Sequence, residues 1–254
     1  TFDDPTALSA AQSDPGAFIE GLSKHVVLDK IQRVRGLLVT IKKFVDQDRK
    51  GRRFVLTGSA DVMTLPKVSE SLAGRIEVHN LWPLSIGEIQ GHKTSFLKTL
   101  ISDDVAFKTS SCTWNNLTKT MGVGGYPEAL QRPSEARREK WFKSYINSIL
   151  QKDIRELANI EGLVEIPNVL ELIAGRIGGI LNLSDLSRLS GIPNTTMQRY
   201  YALLQHVFLI THLPAWRPNL EGRVIKAPKV FLNDTGLLCY LRGEGAGSFL
   251  KNRN

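Results

Sequence analysis

The apolar positions of this chain fall into two periods. From Gly36 the residues Leu37, Leu38, Ile41, Phe44 and Val45 recur at the spacing of a helix with one buried face, and a charged stretch from Asp46 to Arg53 follows. Short continuous apolar runs flank that helix: Val26-Val27-Leu28, ending at Asp29, and Phe54-Val55-Leu56, turning at Thr57-Gly58-Ser59. Such runs, bounded by polar residues, predict buried strands. Strand, helix, strand at this length is a βαβ unit, which requires a parallel sheet covered by helices.

The same reading extends along the chain. Asp4-Pro5 and Asp14-Pro15-Gly16 are turn and cap signals, and the second opens a short helix through Phe18, Ile19 and Leu22. A helix broken at Pro66 resumes through Val68, Leu72 and Ala73 and closes at Gly74-Arg75, and Ile76 to Leu81 predicts a third strand. Ser85 and Glu88 have the spacing of a capping box, residues 94 to 102 read as helix, and residues 103 to 125, polar and glycine-rich, read as a domain junction.

A long helix is expected from Ser134 to Ala158, with Trp141, Tyr145 and Ile149 beside Phe142, Ile146 and Leu150 on its stripe; its interspersed basic residues read as a solvated face. Another helix covers residues 168 to 177. The segment from Leu183 to Asn194 reads as a short helix, a glycine stop at Gly191 and a capped start at Asn194 or Thr195. Two strands follow, at 208–213 and 230–232. A hairpin after a helix-turn-helix predicts a winged helix.

Composition narrows the class. At 254 residues, 42% hydrophobic and 23% charged, the chain suits a soluble protein of two domains. No apolar run reaches the length of a membrane span and the start lacks a signal layout, so the expected location is cytoplasmic. The first residue is Thr1, which reads as a fragment or a processed form. Cys112 and Cys239 are far apart and form no metal-spaced pair, so neither zinc nor a disulfide is expected. The net charge of +8 favours phosphate-rich partners. The five histidines show no metal spacing and no serine sits in a nucleophile elbow, which argues against other hydrolases.

Val26-Val27-Leu28-Asp29 has the form of a Walker B strand, in which a terminal aspartate can hold magnesium beside phosphates. With Leu28 to Arg33, Leu56 to Ser59, Ser69 to Arg75 and Leu81-Trp82-Pro83-Leu84-Ser85, the order of pieces resembles a widespread group of bacterial and archaeal AAA-type P-loop ATPases. Gly125-Tyr126-Pro127-Glu128, Ser144-Tyr145-Ile146 and Asn233-Asp234-Thr235-Gly236-Leu237 resemble that group's C-terminal domain of unknown function. The resemblance implies ATP and magnesium as cofactors. It implies magnesium positioning by Asp29, sensing of the terminal phosphate at Ser59, and an arginine finger at Arg75.

Two features depart from the group. Lys30 stands where its members carry the glutamate that activates water, and an ammonium cannot take up that proton. No G-x-x-x-x-G-K-[ST] phosphate loop occurs in the sequence; in the group it lies upstream of the segment resembling Phe2-Asp3-Asp4-Pro5. Nor is there a later segment with the spaced Asp, Glu and Lys of the nuclease-like domain found in many members.

The expected fold is therefore α/β: an incomplete parallel-sheet AAA-type P-loop core over residues 1–121, a helical linker over 122–160 and a winged-helix domain over 161–254. The expected function is ATP binding with little hydrolysis by this chain alone. Two other readings stay open. One is a winged-helix module contacting double-stranded DNA through Thr195, Thr196, Gln198 and Arg199 on its recognition helix and Arg217, Arg223, Lys226 and Lys229 on its wing. The other is a remnant without function of its own. Homo-oligomerisation is left open as well.

Overall fold

A computed structural model describes residues 1–48, 53–60, 72, 74–92, 96–102, 112–155, 163–216 and 226–245. Over these residues it is a mixed α/β structure, mostly helical, with one small parallel sheet and one antiparallel hairpin. The chain groups into two compact units, and both are discontinuous in sequence. The first takes residues 1–80, 149–163 and 201–208, and the second takes 81–148, 164–200 and 209–254.

In the first unit, Asp4 and Asp14 turn the chain into α1 (Pro5–Ser13) and α2 (Pro15–Glu20). Their carboxylates accept from the backbone N–H of Thr6 and of Ala17, and a proline stands at each helix start. Strand β1 (Val26–Asp29) runs through a short 3-10 turn, Ile31–Val34, into α3 (Leu37–Gln47), and β2 (Phe54–Thr57) returns parallel to β1. The pairing is Val26 with Phe54 through Asp29 with Thr57, which brings the two polar ends level.

Leu28, Ile31, Val34, Leu37, Leu38 and Ile41 form the core with Phe2, Ala11 and Ile19. Each fully buried aliphatic side chain contributes about 1.5–3 kcal/mol. The opposite face of the sheet carries the register partners Val27 and Val55, 61% and 55% exposed.

The second unit contains α4 (Ile86–Ile89), α5 (Phe96–Ile101), α6 (Trp114–Val123), α7 (Pro127–Leu130) and α8 (Glu135–Ser148). It continues with α9 (Ile166–Ala174), α10 (Leu183–Ser190), β3 (Ile210–Leu213), β4 (Lys229–Leu232) and α12 (Thr235–Leu241). Helix α11 (Asn194–His206) is shared, its residues from Tyr201 onward grouping with the first unit. Ile166, Val169, Leu170 and Ile173 bury the face of α9, which contacts α10, α12 and β4.

Asn182 caps α10 by accepting from Asp185 N–H. Gly191, in the left-handed region at φ 73°, ends the helix and frees the chain to start α11. β3 and β4 pair antiparallel, Ile210 with Leu232 through Leu213 with Lys229. The capping box is present: Ser85 Oγ accepts from Glu88 N–H while the Glu88 carboxylate accepts from Ser85 N–H.

Several expectations are corrected. Ile76 to Leu81 is not a strand; among the described residues it pairs with no neighbour and Val78 and Leu81 are exposed, because alternation makes a strand only where a neighbour offers its backbone groups. Part of the expected junction is α6, a polar helix started by Thr113, whose hydroxyl accepts from Asn116 N–H. The first cap signal opens a full helix, α1. The long helix is present but interrupted: Glu135–Ser148 is regular, Ile149–Asp153 widens into a π-helical turn, and residues 154–155 are α-helical again. The helix expected around Pro66 lies outside the described residues.

Candidate functional site

The carboxyl ends of parallel strands gather the polar residues of the first unit. β1 ends at Asp29, whose carboxylate is held between two hydroxyls. Thr57, its register partner on β2, donates to Oδ1 at 2.7 Å, and Thr1 donates to Oδ2 at 2.9 Å. The Thr57 hydrogen bond, with further donation from Thr1 and Lys30 N–H, holds the Asp29 carboxyl below the usual carboxylate range against the opposing effect of partial burial. Asp29 is therefore an anion beside two side-chain oxygens, a set suited to a hard cation.

Lys30 follows directly and adopts the left-handed conformation, φ 63° and ψ 40°, uncommon for a residue with a long side chain. Its charge adds to the lowering at Asp29.

Ser59, two residues past β2, sits in a second polar chain. Gln32 Nε2 donates to Ser59 Oγ at 3.1 Å, and Ser59 donates to Asp153 Oδ1 at 2.8 Å. Gln32 and Asp153 are only 4% and 8% exposed. One residue earlier, Lys152 reaches Asp3 Oδ1 at 3.5 Å, the oxygen that Arg33 also contacts at 2.9 Å. The π-helical turn is thus fastened to this region at two adjacent positions.

Arg75 is engaged elsewhere: its Nε donates to Asp46 Oδ1 at 2.6 Å. The structure brings Asp29 and Lys30 together by chain adjacency and gives Ser59 its own partners. Sequence reasoning missed Thr57, Thr1, Gln32 and Asp153. A threonine at the end of β2 was visible, but its pairing with Asp29 needs the register, and Asp153 lies 94 positions from Ser59.

In the second unit, Thr195, Gln198 and Arg199 are exposed on the first half of α11 and Thr196 is half-buried, while Met197 and Tyr200 point to the core. Lys229 is exposed at the start of β4, and Lys226 is exposed three residues before it. Arg217 and Arg223 lie outside the described residues.

The C-terminal sequence motifs converge on one carboxylate. Asp234 accepts from Gly125 N–H at 2.6 Å and from Leu237 N–H at 2.7 Å, capping α12. Leu84 N–H donates to Gly125 O at 2.8 Å, and a Cβ at Gly125 would collide with the Leu84 carbonyl. The hydroxyl of Tyr145 donates to that of Tyr126, 3.3 Å away. Burial pushes the Asp234 carboxyl above the usual range, opposed by the N–H groups of Gly125, Leu237 and Gly236. These residues build an interior rather than an open site. Cys239, pushed by burial to about 11, stays a thiol.

Comparison with known proteins divides the chain by sequence rather than along the two compact units. The family described as an AAA domain matches residues 1–90, so this stretch is an AAA-type, P-loop-ATPase-like region. A family described as a domain of unknown function (DUF8612) matches residues 115–248, more than half of the chain. The chain belongs to this family. Its relatives include uncharacterized proteins of Mycobacterium tuberculosis and Mycobacterium bovis, each 27% identical over 244 residues, or 96% of this chain and 50% of the relative. An uncharacterized protein of Haemophilus influenzae is 23% identical over 232 residues, covering 89% and 54%. The chain spans about half the length of the curated relatives it matches. No solved structure matches it. No described helix is long and apolar enough to cross a membrane.

Proposed function

We infer that the carboxyl edge of β1 and β2 is the magnesium-facing and phosphate-facing part of an ATP site of AAA type, and that this chain alone hydrolyses ATP slowly. The observation that carries this reading is the ionised Asp29 at the end of a parallel strand, held level with β2 by Thr57. In open parallel sheets ligands bind outside the carboxyl ends of the strands.

The residues fit magnesium in one manner. That ion is held by one or two carboxylates together with phosphate oxygens and water. Among the described residues no group of three or more His, Cys, Asp or Glu could cage a metal. Asp29 would hold the ion jointly with the nucleotide, and the bound ion would neutralise phosphate charge. Thr57 and Thr1 keep the carboxylate ionised and oriented.

Lys30 can pair with a phosphate but cannot accept a proton from water, which supports binding over turnover. Arg75 would have to leave Asp46 to meet a phosphate. Steady-state ATPase assays on the purified chain test the reading: turnover near the background rate is expected, and robust turnover abolished by Asp29→Ala would overturn the claim of slow hydrolysis.

A second reading has its own observation. The succession of α10, Gly191 turn, α11 and β3–β4 hairpin supports a winged-helix reading, with Thr195, Gln198, Arg199, Lys226 and Lys229 exposed. It supports duplex DNA as a partner through phosphate contacts from the cations.

A further inference from the structure

The hydroxyl of Ser59 has one proton to give, and Asp153 has it. The oxygen also accepts from Gln32, so both of its main hydrogen-bonding directions are used inside the protein. A phosphate arriving at this edge needs a donor, and Ser59 can become one only by turning away from Asp153. The Asp153 carboxylate also repels any anion that approaches the same hydroxyl.

We propose that Asp153 is a positioning residue that holds Ser59 in a phosphate-off arrangement, and that the π-helical turn Ile149–Asp153 yields when Ser59 is recruited by phosphate. The proposal rests on the reading of this edge as a nucleotide site. Three further observations support it. The turn closes its hydrogen bonds over five residues instead of the four of an α-helix, a local irregularity that can relax by exchanging hydrogen-bond partners. Among the described residues Gln32 Oε1 is buried without a hydrogen-bond partner, so the amide that completes the chain gains from rearranging. Lys152, next to Asp153, is tied to Asp3 beside Arg33, so a shift of the turn also changes an ion pair at the same end of the sheet.

The test measures amide hydrogen exchange at residues 149–155 of the intact chain, with and without magnesium and the slowly hydrolysed analogue ATPγS, alongside calorimetric affinity for that probe. Binding is expected to raise exchange in the turn several-fold in the wild-type protein, a readout that needs no substitution. Asp153→Asn removes the repelling charge and weakens the bond to Ser59. It is expected to show raised exchange without the probe, about fivefold tighter probe binding and no further response. Ser59→Ala should raise exchange and weaken binding.

Probe binding by the wild-type chain with unchanged exchange at 149–155 would overturn this proposal and leave the nucleotide site standing. So would an unaltered affinity of folded Asp153→Asn. Failure of every variant to bind the probe would overturn both.

Discussion

Thr57 and Asp29 are register partners on adjacent parallel strands, and the threonine hydroxyl donates to the aspartate Oδ1 at 2.7 Å. The bond fixes where a negative charge stands at the edge of the sheet. Replacing Thr57 by valine keeps the shape and removes the donor, so the Asp29 carboxyl should rise toward its ordinary value. An NMR pH titration of Asp29 in Thr57→Val reads this directly. Because the folded value is depressed, the bond's contribution to stability is present above the unfolded carboxylate value and is lost as pH falls through the folded one. The variant should therefore be less stable at neutral pH and converge with the wild type in acid. An unchanged titration would remove Thr57 from the site.

Asp234 should dominate the stability of the second unit. Asp234→Ala removes a helix cap and strands the N–H of Gly125, together about 2–4 kcal/mol, measurable by urea unfolding. Asp234→Asn isolates the charge. Burial raises this carboxyl, so its contribution is fully present below the unfolded value and is lost as pH rises through the folded one. Asp234→Asn should gain on the wild type as pH rises over that interval, and a gap constant with pH would contradict the assignment.

Two glycines separate packing from mere flexibility. Gly125→Ala drives a methyl into the Leu84 carbonyl and should cost about 3 kcal/mol or more. Gly36→Ala meets nothing within 4 Å and has an ordinary φ of −61°, so its effect should stay within about 0.5 kcal/mol. Thermal melts of the two variants check the contrast.

If the winged-helix reading holds, duplex binding should weaken steeply with salt, and Arg199→Ala or Lys229→Ala should each lower the logarithmic salt slope by about one. Fluorescence anisotropy across a salt series measures it. No binding at low salt would eliminate DNA as the partner.

Local pattern was enough to read β1, α3 and β2, because apolar period and burial coincide there: Leu37, Leu38 and Ile41 are all in the core. It failed where a partner decides. Ile76 to Leu81 alternates like a strand, yet pairing is a property of two segments and only one is visible in a local window. α6 was hidden by its polar surface, since only Thr118 within it is buried.

At the candidate site, the place of Asp29 at the end of β1 was legible in the apolar pattern, and Ser59, just past β2, was singled out by the family resemblance. Their partners were not. Thr57 depends on register, and Asp153 on how a helix 94 residues later approaches Ser59. Asp234 stood in a recognisable motif, but its contact with Gly125 spans 109 positions.

That span gives the Asp234 anchor a further meaning. The carboxylate clasps Gly125 and the start of α12 by backbone groups alone, whatever side chains lie between them in sequence. Because α12 also packs against α6, a cut in the intervening chain would leave this clasp and the helix packing in place, and the two pieces should migrate together until a denaturant separates them.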